Sequence, residues 1–257
     1  MTPTPDLIAL AERLADATGP ILTKWFGAGL EPDDKEDQSP VTRADREAEA
    51  AMRAILAESA PHHGVIGEEL GRSGEDAELV WVLDPIDGTK AFVVGKPLFG
   101  TLIALLYRGR PVLGVIDAPA LGDRWIGAAG RATTRSGRPC RARPCADLRR
   151  ARLSTTGPQY FSAGGSAAFG RVAARSRFTS YGGDCYQYGL LASGSVDVIV
   201  EEGLKVWDYA ALVPVIEGAG GVVTDWEGRP LHAGSDGRVV ATGDPALHAE
   251  VIAALAG

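Results

Sequence analysis

Cysteine is scarce in this chain: three residues in 257, Cys140, Cys145 and Cys185. The number is odd and Cys140 and Cys145 do not form a C-x-x-C, which excludes a disulfide-stapled scaffold and favours free thiols in a reduced, cytoplasmic compartment. No uncharged apolar run approaches the roughly 20 residues that span a bilayer, so no membrane role is expected. The first residues lack a basic segment followed by an apolar one, so no export signal is expected either. The four histidines, His62, His63, His232 and His248, sit in no motif, and none is assigned to catalysis. There is no Gly-x4-Gly-Lys-Ser/Thr loop, no internal repeat and no low-complexity tract. Positive charge is in the minority: 26 Lys and Arg face 33 Asp and Glu, for a net charge of −7. Nonspecific nucleic-acid binding needs many cations against phosphate, so no nucleic-acid partner is expected. The Arg-rich stretch 131–152 has none of the interleaved aromatics that stacking on single strands requires, and reads as a solvated connection or an oligomer contact.

What is present describes a globular protein. Hydrophobic residues make up 45% and charged residues 23%, enough for one large core. An apolar stripe (Leu7, Ile8, Leu10, Ala11, Leu14, Ala15, then Ile21, Leu22, Trp25 and Phe26) predicts an amphipathic helix closed by Gly27 and Gly29. Residues 31–39 read as a loop, Thr42 as an N-cap, and 43–60 as a second helix stopped by Pro61. Apolar or alternating runs at 65–66, 80–83, 101–107, 112–116 and 124–127 predict a sheet. The stretch 128–150 reads as a connection between halves. Strands at 152–155, 177–181, 196–200, 221–224 and 239–242 then alternate with helices, one from about residue 166, others at 184–192, at 208–219 and from Pro245. The alternation predicts a layered α/β or α+β architecture, with halves 1–130 and 131–257 in one compact unit.

The densest chemistry lies in Trp81-Val82-Leu83-Asp84-Pro85-Ile86-Asp87-Gly88-Thr89. An apolar strand runs into a carboxylate, and Pro85, which cannot donate to a ladder, is expected to end it. Asp84 and Asp87 are then held on one tight turn. Gly88 lets backbone approach a ligand, and a helix starting near Asp87 would aim the Gly88 and Thr89 N–H groups at an anion. Such carboxylates suit Mg²⁺. An EF-hand loop is excluded by Pro85 and Ile86, and an Asp-x-Asp phosphatase nucleophile turn by Pro85. Glu68 in Gly67-Glu68-Glu69, Asp208 after Trp207, and Asp45 near Thr42 are further acids beside element ends. Taken singly each has an ordinary reading: Asp87-Gly88 as a turn with Asp84 as a cap, Glu68 as a loop acid, Asp208 and Asp184 as helix caps, Asp45 as a surface acid.

Taken together they carry a resemblance. Ser39-Pro40-Val41-Thr42-Arg43-Ala44-Asp45, Gly67-Glu68-Glu69, Asp84-Pro85-Ile86-Asp87-Gly88-Thr89, Trp207-Asp208 and Gly218-Ala219-Gly220-Gly221 fall in the order found in the inositol monophosphatase superfamily. The resemblance implies an α+β fold, a layered αβαβα sandwich of the inositol monophosphatase/fructose-1,6-bisphosphatase type, and Mg²⁺-dependent hydrolysis of a small phosphomonoester with two or three ions. Glu68, Asp84, Asp87 and Asp208 match metal ligands, and Ile86 matches the residue whose carbonyl binds metal. Thr89, with Glu68, matches the pair that orients the attacking water. Asp45 matches an acid behind the first ligands or at a third ion. Gly88 and Thr89 offer amides to phosphate, while Asp184 and Glu201 match positions that contact the organic part.

Asp37-Gln38-Ser39-Pro40-Val41-Thr42, Gly95-Lys96-Pro97-Leu98-Phe99-Gly100-Thr101, Ile116-Asp117-Ala118-Pro119 and Tyr181-Gly182-Gly183-Asp184-Cys185-Tyr186 are most similar to the histidinol-phosphate phosphatase branch. There Asp184 would pair with a cationic group of the substrate. Inositol phosphate, fructose bisphosphate and a 3′(2′),5′-bisphosphate nucleotide are the alternative substrates, and a non-catalytic metal- and phosphate-sensing module is the alternative class. The family resemblance also implies a homodimer.

Overall fold

The structure is a computed structural model and describes residues 1–27, 33–34, 40–41 and 43–257. Two helices lead, α1 (Pro5–Trp25) and α2 (Arg43–Ser59). Thr4 caps α1 by accepting the Leu7 N–H, and Pro5 takes the first turn, where no N–H is needed. The expected stripe of Leu10, Ala11, Leu14, Ala15 and Leu22 is buried. A two-residue ribbon, β1 (Asp33–Asp34) with β2 (Pro40–Val41), lies between the helices. Gly29, the other residues of the 31–39 loop, Asp37-Gln38-Ser39 among them, and the Thr42 cap lie outside the described residues.

Eight strands form the larger sheet: β3 (Gly64–Gly67), β4 (Gly71–Ser73), β5 (Leu79–Asp87), β6 (Gly100–Tyr107), β7 (Arg110–Ala118), β8 (Asp123–Ala128), β9 (Thr134–Arg135) and β10 (Arg138–Pro139). Their spatial order is β10-β9-β8-β7-β6-β5-β3-β4, and β3 with β5 is the one parallel pair. A short helix, α3 (Thr89–Val93), interrupts the path from β5 to β6. The smaller sheet contains β11 (Arg152–Thr155), β12 (Phe178–Tyr181), β13 (Val198–Glu201), β14 (Val222–Thr224) and β15 (Val239–Thr242). Its order is β12-β11-β13-β15-β14. Five helices accompany it: α4 (Ala163–Ala173), α5 (Asp184–Ala192), α6 (Val206–Tyr209), α7 (Leu212–Gly218) and α8 (Pro245–Ala256).

The apolar runs of the large sheet serve two cores at once. Trp81, Leu83, Ile103, Leu105, Leu113 and Val115 pack with Leu10, Leu14, Met52 and Leu56 of α1 and α2. Their strand neighbours Val80, Val82, Leu102, Ala104 and Ile116 point the other way, onto Tyr188, Leu191, Tyr209, Leu212, Val215 and Ile216 of α5 to α7. A sheet buried on both faces reads as a continuous apolar run, which is why these strands do not alternate with polar residues. Ile199, Val223, Val239 and Ala241 of the small sheet join that second core. Leu153, Val198, Val200 and Val240 face outward to Phe169, Val172, Leu247 and Val251 of α4 and α8. The layers are therefore helix, sheet, helix, sheet, helix, the sandwich expected. Among the described residues no helix is long and apolar enough to cross a membrane.

Two local expectations are corrected. Part of 128–150 is not a bare connection, because β9 and β10 fold back as a hairpin that extends the large sheet. The single helix expected over 208–219 is two short ones, α6 and α7, and the first already starts at Val206.

Candidate active site

β5 carries two of the acids. Its register against β6 shifts between them: Asp84 pairs with Leu102 and Asp87 with Gly100, so Pro85 and Ile86 together oppose Thr101. Residues three apart on a regular strand point to opposite faces; an extra residue in a bulge turns the second back to the side of the first. The buried Thr101 hydroxyl donates to the Pro85 carbonyl at 2.8 Å and ties the bulge to β6. Pro85 therefore does not end the strand as expected, since a bulge is one of the few places in a sheet that tolerates a residue without N–H.

Asp208 arrives from the other half. It is the third residue of α6, not its N-cap; Lys205 holds the cap position, and its N–H donates to Asp208 Oδ2 at 2.6 Å. Carboxylate oxygens of Asp84, Asp87 and Asp208 lie within 4.8 Å of one another. The Asp87 carboxylate accepts the Cys185 N–H. Asp84 Oδ1 is buried and makes no hydrogen bond among the described residues.

Glu68 lines the same cavity, on the turn after β3. Its N–H donates to the Leu83 carbonyl at 3.2 Å. The turn is held by Glu49, a fully buried residue of α2 that the sequence reading did not single out. Glu49 accepts the N–H groups of Glu69 (2.7 Å) and Leu70 (3.2 Å), and Arg53 pairs with it at 2.7 Å. Arg53 also donates to the Gly71 carbonyl. A side chain at Gly67 would displace Glu49, because a Cβ there would lie 1.9 Å from Glu49 Oε1. Asp45 lies one helical turn before Glu49 and is buried, so it is not the surface acid of its ordinary reading. The signal that could have found Glu49 is the spacing Asp45, Glu49, Arg53, three charges on the helix face that also carries Ala48 and Met52.

The remaining expected residues gather at the mouth of α3 and α5. Ile86 is buried, and its carbonyl accepts the Thr89 hydroxyl at 2.9 Å. Gly88 has φ +85 and caps α3 without a side chain, which leaves the first-turn N–H groups of a cavity-lining segment without intrahelical acceptors. Asp184 is the first residue of α5 and not its cap, which is Gly183. Its φ of 42 follows two left-handed glycines, Gly182 and Gly183. This strained turn brings Asp184 against Gly88, where a Cβ would stand 3.1 Å from Asp184 Oδ2. Glu201 is buried at the end of β13; its Oε1 accepts the Thr156 N–H (2.5 Å), Gln187 Nε2 (3.0 Å) and the Thr155 hydroxyl (3.3 Å). At the rim, Lys90 Nζ donates to the Tyr160 hydroxyl at 3.0 Å and joins the two halves.

The site residues expected from the sequence, Asp45 excepted, line one cavity of about 240 Å³. Asp84, Asp87, Asp184 and Asp208 hold their protons unusually strongly. Burial first, then the charges of Glu68, Asp87, Asp208 and Asp45, push Asp84 well above the ordinary carboxylate range. Burial and the neighbouring Asp184 and Asp208 do the same to Asp87. Asp208 is raised to about 7, chiefly by burial. Asp184 is raised to about 6 by burial and by Glu201, against the pull of Lys90 and Lys96. Converging acids that cannot all ionise, one with an orphaned buried oxygen, form an all-oxygen donor set that fits a hard divalent cation.

The chain matches known proteins over nearly its whole length. The inositol monophosphatase family profile covers residues 5–257. The chain is 49% identical over 256 residues to the bifunctional phosphatase IMPL2, chloroplastic, of Arabidopsis thaliana, covering 96% of this chain and 74% of that protein. It is 40% identical over 258 residues to a histidinol-phosphatase of Mycobacterium tuberculosis, covering 97% and 98%. The solved structure of an inositol monophosphatase from Zymomonas mobilis superposes with a TM-score of 0.91 at 48% identity, covering 98% of each chain.

Proposed function

The chain belongs to the inositol monophosphatase family of metal-dependent phosphatases, and from that premise we propose that it hydrolyses histidinol phosphate to histidinol and phosphate with Mg²⁺. The observation that carries this reading is the placement of Asp184. It stands against Gly88 of the phosphate turn and beside Asp87, with Glu201, Lys90 and Lys96 as its other charged neighbours. A cavity with three further acids beyond its metal cluster, Asp184, Glu201 and Glu202, suits an organic group that carries an amine and an imidazole. A polyol phosphate has no charge to offer them.

Glu68, Asp84, Asp87, Asp208 and the Ile86 carbonyl would hold two or three Mg²⁺ ions, with Asp45 behind them. When bound, magnesium supplies positive charge to the phosphoryl and leaving oxygens and makes water more acidic. The chain's own groups do the rest. The Thr89 hydroxyl hydrogen is committed to the Ile86 carbonyl, so its oxygen is left to accept a hydrogen bond from the attacking water. Glu68, clamped through its turn by Glu49, takes that water's proton. The Gly88 and Thr89 amides hold non-bridging phosphate oxygens.

A second reading is inositol phosphate, favoured by the likeness to the Zymomonas mobilis structure. Phosphate release from histidinol phosphate, inositol phosphate, fructose bisphosphate and a 3′,5′-bisphosphate nucleotide decides between them. Faster turnover of histidinol phosphate supports the first reading, and equal or faster turnover of inositol phosphate removes it. Release from none of them would leave a metal- and phosphate-binding module. The homodimer of the same reading has a face to offer in β12, an edge strand whose Phe178 and Tyr181 are at least half exposed, and sedimentation tests it. A cytoplasmic placement fits the three free thiols and is tested by cell fractionation.

A further inference from the structure

Tyr188 lies on α5, one helical turn beyond Asp184, and lines the cavity. It is 1% exposed, yet its hydroxyl has no hydrogen-bond partner among the described residues. A buried tyrosine hydroxyl ordinarily finds one, and leaving it unpaired is costly. Asp84 Oδ1 and Gln187 Oε1 are buried without partners too, but both are acceptors. Tyr188 supplies a donor. The helix that presents it has little freedom to turn away: a Cβ on the next residue, Gly189, would come within 2.7 Å of the Trp125 ring. Burial and the nearby Glu201, Asp87 and Asp208 all disfavour the phenolate, so the proton stays on the oxygen.

Tyr188 lines the cavity together with Asp87, Asp208 and Glu201, which serve its two sides. Asp87 and Asp208 are on the phosphoryl side, and Glu201 is on the side of the organic group. The substrate atom common to both sides is the ester oxygen. We propose that Tyr188 is a further substrate-contacting residue whose hydroxyl donates a hydrogen bond to the ester oxygen of the bound phosphomonoester. The inference rests on the phosphatase reading above. In the reaction a bond forms from water oxygen to phosphorus and the bond from phosphorus to the ester oxygen breaks. The breaking bond's electron pair goes to the ester oxygen, which takes a proton from water in the cavity, and that water recovers the proton Glu68 took from the attacking water. Tyr188 keeps its own proton, and its hydrogen bond strengthens as charge collects on the leaving oxygen.

Tyr188→Phe removes the hydroxyl and little else. Because that hydroxyl has no partner among the described residues, the variant should melt at the same temperature as the wild type or higher. Turnover is compared on two esters with Mg²⁺: histidinol phosphate, whose leaving group is an alkoxide, and p-nitrophenyl phosphate, whose leaving group is a stable phenolate. The expected result is a fall in kcat on histidinol phosphate on the order of tenfold or more, a nearly unchanged KM, and a clearly smaller fall on p-nitrophenyl phosphate. A merely structural role would not make the loss depend on the leaving group. Equal losses on the two esters, or none, overturn the inference while the wild type's own turnover keeps the phosphatase reading standing. A wild type that hydrolyses neither ester removes both.

Discussion

The Glu69 N–H donates to Glu49 Oε2 at 2.7 Å, so a helix residue twenty positions earlier holds the turn that presents Glu68. Breaking a buried pair by removing one partner leaves the other charge and two amides unanswered. Glu49→Ala should cost about 3 kcal/mol of stability, read by urea unfolding. It should also weaken Mg²⁺ binding, read by calorimetry on the folded fraction. Unchanged Mg²⁺ affinity would show that the clamp serves the fold and not the site.

The metal-free protein should be strained by its own acids. Asp208 titrates at about 7 in the folded chain against an ordinary 3.8. A carboxyl raised in this way leaves the folded state with more bound protons than the unfolded one, so its contribution to stability falls as pH rises from 3.8 towards about 7. Asp208→Asn should flatten that part of the apo melting profile. Mg²⁺, binding the folded state alone, should raise the wild-type melting temperature most at the upper end of the same window.

Asp87→Asn should abolish turnover while leaving the apo protein as stable as the wild type or more so. One like charge leaves the cluster, and the Asn carbonyl can still accept the Cys185 N–H. A large loss of apo stability would make Asp87 a structural residue.

Gly88→Ala meets two obstacles at once. The backbone is left-handed, and the new Cβ would stand 3.1 Å from both Asp184 Oδ2 and the Leu98 carbonyl. A left-handed non-glycine costs roughly 1–2 kcal/mol. Thermal melting should show that loss, and turnover should fall further than the stability loss explains because Asp184 is displaced.

His63 gives a pH effect of the opposite sign. It accepts the Trp81 indole N–H on Nδ1 at 3.1 Å, which the imidazolium cannot do. Burial and the adjacent His62 hold its pKa below 6.5. Its contribution is present above 6.5 and is lost as pH falls through the lowered value. The stability difference between wild type and His63→Ala should shrink on acidification; a constant difference would show that the hydrogen bond contributes little.

The layered fold was legible because the apolar runs of β5, β6 and β7 are long, and turn residues such as Gly109 bound them. Asp84 and Asp87 were legible as a pair, but the reason they share a side was not. Their bulge depends on pairing two residues against Thr101, a partner well beyond any local window. Glu49 reads as an ordinary helix acid until the turn at 67–71 folds onto it. Tyr188 reads as a core residue, and it is one, except for its hydroxyl. The break between α6 and α7 was hidden because Ala210 and Ala211 are good helix formers; α7 nonetheless follows a separate stripe, seated on β7 and β8 so closely that Gly114 and Gly127 admit no side chain.

The most direct test of the account is phosphate release from histidinol phosphate by the purified wild type as Mg²⁺ is titrated in after chelation. Turnover that is absent without the ion, rises with it and vanishes in Asp84→Asn is the predicted result. Turnover that persists in chelator, or that survives loss of Asp84, would contradict the claim that these acids work by holding a divalent ion.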